Sequence, residues 1–299
     1  MRVLQLGPYP PPHGGVQSNL AAIRTYLCRN GISCAVINIT RHCKTHSDEI
    51  YYPENAVQLL QLLIRLRYDI IHLHVGGMLT RRLLGLGFVC TLMPAKSVLT
   101  FHSGGYPSTP EGQTTGPGSF AGLVLRRFNR VIGVNPEIMK FLRKLAVPED
   151  RIRLIYPYAF LPEEGHLPSL PQPLNNFFDR HHPILISVGL LEPEYCLPAQ
   201  IEVLGRVRDR FSDAGLVIVG SGSLEQYLRE RIQAQPYAEH ILLCGDVSHS
   251  ATMASISRAD LMLRTTLYDG DAVSVREALH VGTPVLATDN GMRPAGRRP

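Results

Sequence analysis

Several features that mark common protein classes are missing from this chain of 299 residues. Its longest apolar run, from Leu83 to Pro94, is too short to cross a bilayer. The opening Met1-Arg-Val-Leu-Gln-Leu-Gly is broken by prolines too soon to be a signal peptide. Charged residues make up only 18% and hydrophobic residues 44%, which argues against disorder. Tryptophan is absent, but this excludes nothing. We therefore predict a globular cytoplasmic protein, with any membrane association peripheral.

Two cofactor signatures are also missing. The six cysteines show no CxxC pair and no regular spacing, which favours reduced, buried thiols over a metal or disulfide framework. The dinucleotide fingerprint G-x-G-x-x-G is absent as well. Gly220-Ser-Gly222 comes nearest, but its third position is Glu225. An NAD-dependent dehydrogenase is therefore a poor interpretation.

Charge is divided unevenly along the chain. Residues 1–160 carry 18 Lys and Arg against 8 Asp and Glu, a net charge of +10, whereas the remainder carries 12 against 17, a net charge of −5. A basic half is suited to an anionic membrane or a phosphorylated acceptor, although it is equally compatible with a solvated surface. No basic run is interleaved with aromatic residues, so nucleic acid is not an expected partner.

Apolar strands alternate with helices in both halves of the chain, which is typical of doubly wound parallel sheets. The alternation stops at residues 161–183, which are rich in proline and turn residues. The sequence thus predicts an α/β protein with two Rossmann-like domains, residues 1–160 and 184–299, joined by a linker at 161–183. We expect them to face a cleft, because ligands of such sheets bind outside the carboxyl ends of the strands.

The loops at the predicted strand ends contain candidate functional residues. Gly14-Gly15 opens the first helix, where glycines let a backbone approach a phosphate closely, but a plain tight turn is an alternative. His102 ends a strand and is placed to donate to a phosphate or to move a proton, although a structural role is the commoner one. His72 and His74 also end a strand, but no third metal ligand stands at a useful spacing.

The stretch from Asp269 to Glu277 combines two kinds of ligand-binding group. The amides of Ala272, Val273 and Ser274 open a predicted helix, where orphan N–H groups and the helix dipole favour an anion. Carboxylates are suited to sugar or ribose hydroxyls, because an ionised carboxylate only accepts hydrogen bonds. Amides for phosphate beside carboxylates for hydroxyls are what a nucleotide-sugar site needs.

The ordered set of motifs resembles the family-4 glycosyltransferases of the GT-B fold over nearly the whole chain. The matching segments are Pro10-Pro-Pro-His-Gly14-Gly15, Leu99-Thr-Phe-His102-Ser-Gly104, Leu154-Ile-Tyr-Pro157-Tyr, Val217-Ile-Val-Gly220-Ser-Gly222 and the region Asp269 to Ala287. The family's E-x7-E pattern is written here as Asp269-x7-Glu277. The resemblance implies a retaining transfer of a sugar from a nucleotide-diphosphate donor to a glycan or lipid-linked acceptor, as in cell-surface polysaccharide or glycoconjugate synthesis.

The resemblance also implies roles for individual residues. The implied catalytic residues are His102, near the donor phosphates and sugar, and Asp269, in contact with the transferred sugar. Glu277 would hold the donor ribose. The first domain would take the acceptor and the second the donor, with neither a metal nor a cofactor. The implied donor-binding residues are Gly14, Gly15, Gly220, Gly222, Arg264, Ala272, Val273, Ser274 and Glu277.

The sequence departs from the family pattern in two places. Leu190 and Tyr195 stand where the family has an Arg and a Lys that neutralise the leaving diphosphate, and Arg264 and Arg276 are the candidate substitutes. The chain also stops where the family continues with further helices, which suggests a truncated product. Two alternatives therefore stay open: a catalytically impaired protein that binds a nucleotide sugar, and a nucleotide-sugar epimerase.

Overall fold

The computed structural model describes residues 1–10, 14–40, 49–157, 170–267 and 272–289. These residues form two compact units, one within 1–157 and one within 170–289. Each unit contains one sheet in which neighbouring strands pair in parallel, with helices between successive strands. The predicted α/β class with two Rossmann-like units is confirmed.

The first unit holds a seven-stranded sheet in the order β3-β2-β1-β4-β5-β6-β7. Its strands are β1 (Arg2–Gly7), β2 (Ser33–Asn38), β3 (Ile50–Tyr51), β4 (Ile70–Val75), β5 (Lys96–Phe101), β6 (Arg130–Gly133) and β7 (Ile152–Leu154). Its helices are α1 (Gly15–Arg29), α2 (Ala56–Arg65), α3 (Arg81–Cys90), α4 (Pro110–Thr114), α5 (Phe120–Arg127) and α6 (Pro136–Lys144). The central strands are mostly apolar because both of their faces are buried, and polar strand residues such as Gln5 and His74 are buried with them.

The second unit holds a five-stranded sheet in the order β10-β9-β8-β11-β12. Its strands are β8 (Ile184–Val188), β9 (Gly215–Val219), β10 (Ile241–Gly245), β11 (Leu261–Arg264) and β12 (Val285–Ala287). Its helices are α7 (Gln172–Arg180), α8 (Leu197–Arg208), α9 (Glu225–Gln233), α10 (His249–Arg258) and α11 (Val273–His280). Alternate strand residues serve two separate cores: Ile186 and Val217 pack on one face, and Leu185 and Leu216 on the other.

Two segments contain more regular structure than the sequence pattern indicates. The segment 161–183 includes α7, whose Leu174, Phe177 and Phe178 pack into a core of the second unit. The stretch Gly105–Gly122, whose composition resembles a loop, includes α4 and the start of α5. Residues 158–169, which hold the start of the predicted linker, lie outside the described part of the chain, so the domain boundary stays a prediction.

The cysteines are less uniformly buried than expected. Cys34 and Cys90 are buried free thiols, whereas Cys28 is exposed and Cys196 and Cys244 are half-buried. Among the described residues, no helix combines the length and apolar character needed to cross a membrane.

Candidate functional site

In each sheet, successive strands are added first toward one edge and then toward the other, so the strand order reverses once. Polar side chains meet at both of these reversals. In the second unit the reversal lies between β8 and β11, which pair through Leu185 and Leu261. At its carboxyl edge, the backbone carbonyl of Val188 accepts a hydrogen bond from Arg264 Nη1 at 3.0 Å. The hydroxyl of Ser274 donates to the same carbonyl at 3.4 Å. Open parallel sheets bind their ligands at such reversals.

Arg264 is the buried cation of this cluster, with 7% of its surface exposed. Its guanidinium carbon lies 4.8 Å from the centre of the Tyr195 ring, the separation of a cation–π contact. Tyr195 occupies the position at which the resembling family has its lysine. The positive charge of Arg264 therefore lies next to the residue that replaces this lysine. Arginine keeps its charge when buried, because the guanidinium is too strong a base to lose its proton in a protein. Arg276, the other candidate substitute, is half-buried on α11.

The two glycines after β9 are required by close backbone contacts, which the sequence analysis did not predict. Gly220 has a φ of +136°, and a Cβ atom there would lie 1.8 Å from the carbonyl oxygen of Gly189. A Cβ atom on Gly222 would lie 2.6 Å from the carbonyl oxygen of Leu191. The loops after β8 and β9 therefore touch through their backbones, and only glycine fits at Gly220. The role of Gly220 and Gly222 in donor binding stays a prediction.

The first turn of α11 is the segment predicted to bind an anion. Ala272 is the N-cap residue, and its methyl side chain cannot accept a hydrogen bond from the helix. The amides of Val273 and Ser274 follow in the first turn, where an α-helix supplies no acceptor of its own. An anion is favoured at such an end by the amides and by the helix dipole. Asp269, the predicted partner of this site, lies outside the described residues.

Glu277 is buried on α11, with 4% of its surface exposed, and its Oε1 lies 2.7 Å from Nε2 of His249. His249 is the first residue of α10 and follows the N-cap Ser248. The sequence reasoning missed His249. The available signal was its position at the start of a helix directly after a strand, which is where the other candidate residues were sought. Within the described residues, Glu277 Oε2 has no such partner and is left to accept from another donor.

In the first unit, Gly14 is the N-cap residue of α1 and Gly15 begins the helix, and Gly14 has no side chain with which to cap it. Gly14 has an extended backbone with a φ of −133°, so it does not show the left-handed conformation for which tight turns use glycine. At Gly7, the last residue of β1, glycine is required because neighbouring side chains leave no room for a Cβ atom. A Cβ atom there would lie 2.8 Å from Leu20 Cδ1 and 2.9 Å from His74 Cβ.

Three histidines form a cluster at the carboxyl ends of β4 and β5, which we call the histidine cluster: His72, His74 and His102. His74 Nδ1 lies 3.2 Å from His102 Nε2, and His74 Nε2 lies 3.0 Å from Oε1 of Gln5 on β1. His72 Nε2 lies 2.7 Å from the Thr100 hydroxyl. The Gln5–His74 contact joins β1 to β4, the two strands at which the order of the first sheet reverses.

Burial keeps the histidine cluster uncharged at neutral pH. Desolvation lowers the pKa of His72 to about 4 and holds the pKa of His74 well below its usual range. Desolvation and, to a smaller extent, the charge of His72 lower the pKa of His102 to about 3. A neutral His102 offers a phosphate no positive charge. In the described part of the chain, no group of three His, Cys, Asp or Glu residues is arranged to hold a metal ion.

Family models match both halves of the chain. Residues 13–158 match the model described as "Glycosyltransferase Family 4", and residues 174–295 match "Glycosyl transferases group 1". Among curated proteins, a phosphatidyl-myo-inositol mannosyltransferase of Mycobacterium leprae is 32% identical over 33% of this chain and 26% of its own length. A 2-deoxystreptamine N-acetyl-D-glucosaminyltransferase of Niallia circulans is 22% identical over 36% and 28%. The chain thus matches only about a quarter of the length of these relatives.

Solved structures share the fold over most of the chain. Anabaena HepE, in complex with UDP-glucose, has a TM-score of 0.71 and 14% identity, covering 97% of this chain and 80% of its own. WaaG, a glycosyltransferase involved in lipopolysaccharide biosynthesis, has a TM-score of 0.64 and 13% identity, covering 97% and 81%. At these identities the likeness concerns the fold. Taken with the two family models, it leads to one conclusion: the chain belongs to the family-4 glycosyltransferases with the GT-B fold.

Proposed function

We propose that this protein is a glycosyltransferase that moves a sugar, with retention of configuration, from a nucleotide-diphosphate sugar to a glycan or lipid-linked acceptor. The observation that carries the proposal is the meeting of Arg264, Ser274 and the start of α11 at the strand reversal of the second sheet. A buried guanidinium and the amides at the start of a helix, at one sheet edge, are suited to a diphosphate. Such preorganised groups stabilise the charge that develops on a leaving diphosphate without a metal or other cofactor.

Glu277 is the proposed ribose ligand of this site. Its Oε1 is engaged by His249 at 2.7 Å, which fixes the carboxylate in one orientation. A carboxylate held in this way presents its second oxygen to a pair of hydroxyls without first losing side-chain freedom. We therefore assign His249 as a positioning residue for Glu277. Asp269 is kept as the proposed contact to the transferred sugar, on the basis of the family pattern alone.

Arg264 is proposed to replace the two cations that the family uses at Leu190 and Tyr195. The Tyr195 ring lies 4.8 Å from the guanidinium, so the side chain in place of the lysine packs against the substitute charge. The bond to the Val188 carbonyl holds the guanidinium at the edge of the sheet. In this arrangement a single buried arginine supplies the charge that the family pattern divides between two residues.

The donor class is supported by the structural neighbours. HepE was solved with UDP and glucose and with UDP-glucose, which makes UDP-glucose the first donor to test. The mannosyltransferase relative carries a phosphatidyl-inositol acceptor in its name, and WaaG is named for lipopolysaccharide biosynthesis. Both favour a lipid-linked or glycan acceptor in cell-surface polysaccharide or glycoconjugate synthesis.

The first unit is the proposed acceptor side, in contact with the inner face of the membrane. Helix α2 exposes Val57, Leu60 and Ile64, which share one helix face, and Arg65 and Arg67 follow at its end. An apolar stripe with arginines beside it is suited to the surface of an anionic bilayer. A cytoplasmic enzyme with peripheral membrane contact fits this pattern.

A second candidate function is a protein that binds the donor without turning it over. The replacement of the family's cations by Leu190 and Tyr195 favours it, because their loss costs transition-state stabilisation more than ground-state binding. No feature of the described residues favours the epimerase alternative.

Release of UDP from UDP-glucose by the purified chain distinguishes these functions. We expect release by the unchanged protein that persists in EDTA, and a loss of about 10- to 100-fold in kcat/KM for Glu277→Gln, the range of a lost hydrogen bond to a charged group. Glu225→Gln is the matched control, because Glu225 is also paired at 2.7 Å, with Arg229, but on the exposed face of α9. UDP-glucose binding without release would establish the second function. The proposal would be refuted if the chain neither binds nor cleaves UDP-glucose and GDP-mannose.

A further inference from the structure

The histidine cluster contains a chain of hydrogen bonds that the proposed function does not use. It runs from Gln5 on β1, through His74 on β4, to His102 after β5, with separations of 3.0 and 3.2 Å. From this chain we infer that Gln5 and His74 are positioning residues that fix the tautomer of His102 with its proton on Nε2. His102 Nδ1 is then a pure hydrogen-bond acceptor, suited to a sugar hydroxyl and not to a phosphate oxygen.

The orientation of the Gln5 amide is set by its other neighbours. Gln5 is completely buried, and its Nε2 lies 3.4 Å from the backbone carbonyl of Leu20 and 3.2 Å from Sγ of Cys34. A carbonyl oxygen only accepts, so the NH2 group and not the oxygen must face Leu20. Gln5 Oε1 therefore points to His74 as an acceptor.

The tautomer of His74 follows from this orientation. Because Gln5 Oε1 only accepts, His74 Nε2 must carry the proton that lies between them. His74 has 1% of its surface exposed, and desolvation keeps its pKa well below neutral. A neutral imidazole has one proton only, so Nδ1 of His74 is bare and accepts.

The same step repeats at His102. The bare Nδ1 of His74 lies 3.2 Å from His102 Nε2, so His102 must donate through that nitrogen. The pKa of His102, lowered to about 3 by desolvation, leaves it neutral at pH 7. Its Nδ1 is then bare and, within the described residues, has no partner. His102 directly follows β5, at the carboxyl end of the strand, where ligands of a parallel sheet are found.

This assignment changes the chemistry expected of His102. The sequence interpretation gave it the option of donating to a phosphate, which a bare nitrogen in a neutral ring cannot do. An acceptor at this position takes a hydroxyl, and only the identity of that hydroxyl as part of a sugar rests on the proposed function. The tautomer itself is a property of the free protein and does not depend on activity.

Long-range ¹H–¹⁵N correlation spectra of the full chain labelled with ¹⁵N-histidine test the inference at pH 7. Protonated and bare ring nitrogens resonate in separate regions, and the His102 signals are those lost in His102→Asn. We expect the pattern of a neutral ring with its proton on Nε2. A proton on Nδ1, or a doubly protonated ring, would overturn the inference whether or not the chain transfers sugar.

Gln5→Met tests the origin of this tautomer, because methionine fills a similar volume and offers no strong acceptor. The His102 nitrogens should then shift toward values averaged over both tautomers. Thr100→Val is the matched control: it removes the hydroxyl bound to His72, within the same cluster, and should leave His102 unchanged. An unshifted His102 in folded Gln5→Met would refute the role of Gln5. Should this variant not fold, the spectrum of the unchanged protein still decides the tautomer.

Addition of inorganic phosphate is a separate test. We expect His102 Nδ1 to stay unprotonated when phosphate is added. Protonation of His102 Nδ1 on adding phosphate would also overturn the inference.

Discussion

Replacement of Arg264 by methionine is the sharpest test of the donor site. Methionine keeps an unbranched apolar side chain against Tyr195 and removes only the guanidinium. The variant loses the hydrogen bond to the Val188 carbonyl at 3.0 Å and the cation–π contact at 4.8 Å. A hydrogen bond from a charged donor is worth about 1.5–3 kcal/mol, and a cation–π contact about 1 kcal/mol. We therefore expect the free energy of unfolding to fall by about 2–4 kcal/mol.

The catalytic loss should be separable from this loss of stability. Removing one preorganised donor from a site of developing negative charge costs roughly 10²- to 10³-fold in kcat. If Arg264 replaces the cations missing at Leu190 and Tyr195, the rate of UDP release from UDP-glucose should fall by this factor. The affinity for UDP-glucose should fall less, because the charge on the bridging oxygen develops only as the bond breaks.

Arg208→Met provides the matched control in the same unit. Arg208 Nε donates to the backbone carbonyl of Ser212 at 3.0 Å, and its guanidinium carbon lies 5.7 Å from the Tyr237 ring. The two arginines thus make similar contacts, but Arg208 is at the end of α8, away from the carboxyl edge of the sheet. Urea unfolding should show a loss of stability for both variants, and UDP release should fall only for Arg264→Met. Turnover within twofold of the unchanged protein in folded Arg264→Met would refute the reasoning.

Two further predictions concern stability. The backbone of Cys196 is left-handed, with a φ of 51°, so Cys196→Gly should raise the free energy of unfolding by about 1 kcal/mol in urea titration, with no gain for Cys196→Ala. A less stable Cys196→Gly would contradict this. The pKa of His72 is lowered from 6.5 to about 4 in the folded state, so the unfolded state binds the extra proton and stability falls as the pH drops from 6.5 toward 4. Between pH 6.5 and pH 5, His72 alone should lower the free energy of unfolding by about 1.6 kcal/mol, and His72→Gln should remove this loss; a flat profile would contradict the assignment.

The alternation of strands and helices was readable from the sequence because it depends on local pattern. Runs such as Ile184–Val188 and Gly215–Val219 are almost entirely apolar, as is typical of strands covered on both faces. Helix α7 was missed because prolines and paired histidines around it resemble a linker. Its burial depends on contacts of Phe177 and Phe178 with strands that are distant in sequence, which no local pattern records.

The candidate site was predictable only as far as strand ends identify it. Arg264 and Ser274 were singled out because each stands at the end of a strand or at the start of a helix, and Glu277 was singled out by the Asp269-x7-Glu277 pattern. His249 and Gln5 were not found, because their importance lies in a partner on another strand or helix. The stacking of Arg264 on Tyr195 was equally hidden, since the sequence shows a lost lysine and not what replaces it.

The parallel pairing of every described strand has a kinetic consequence. Leu185 pairs with Leu261, and the whole of β9 and β10 lies between them in the chain. Such strands cannot meet through a short hairpin, so each pairing must close a long loop before it gains any hydrogen bond. Folding is then slow, and apolar strands such as β8 and β9 are transiently open to neighbouring chains. Yield on expression should therefore rise when synthesis is slowed by cooling.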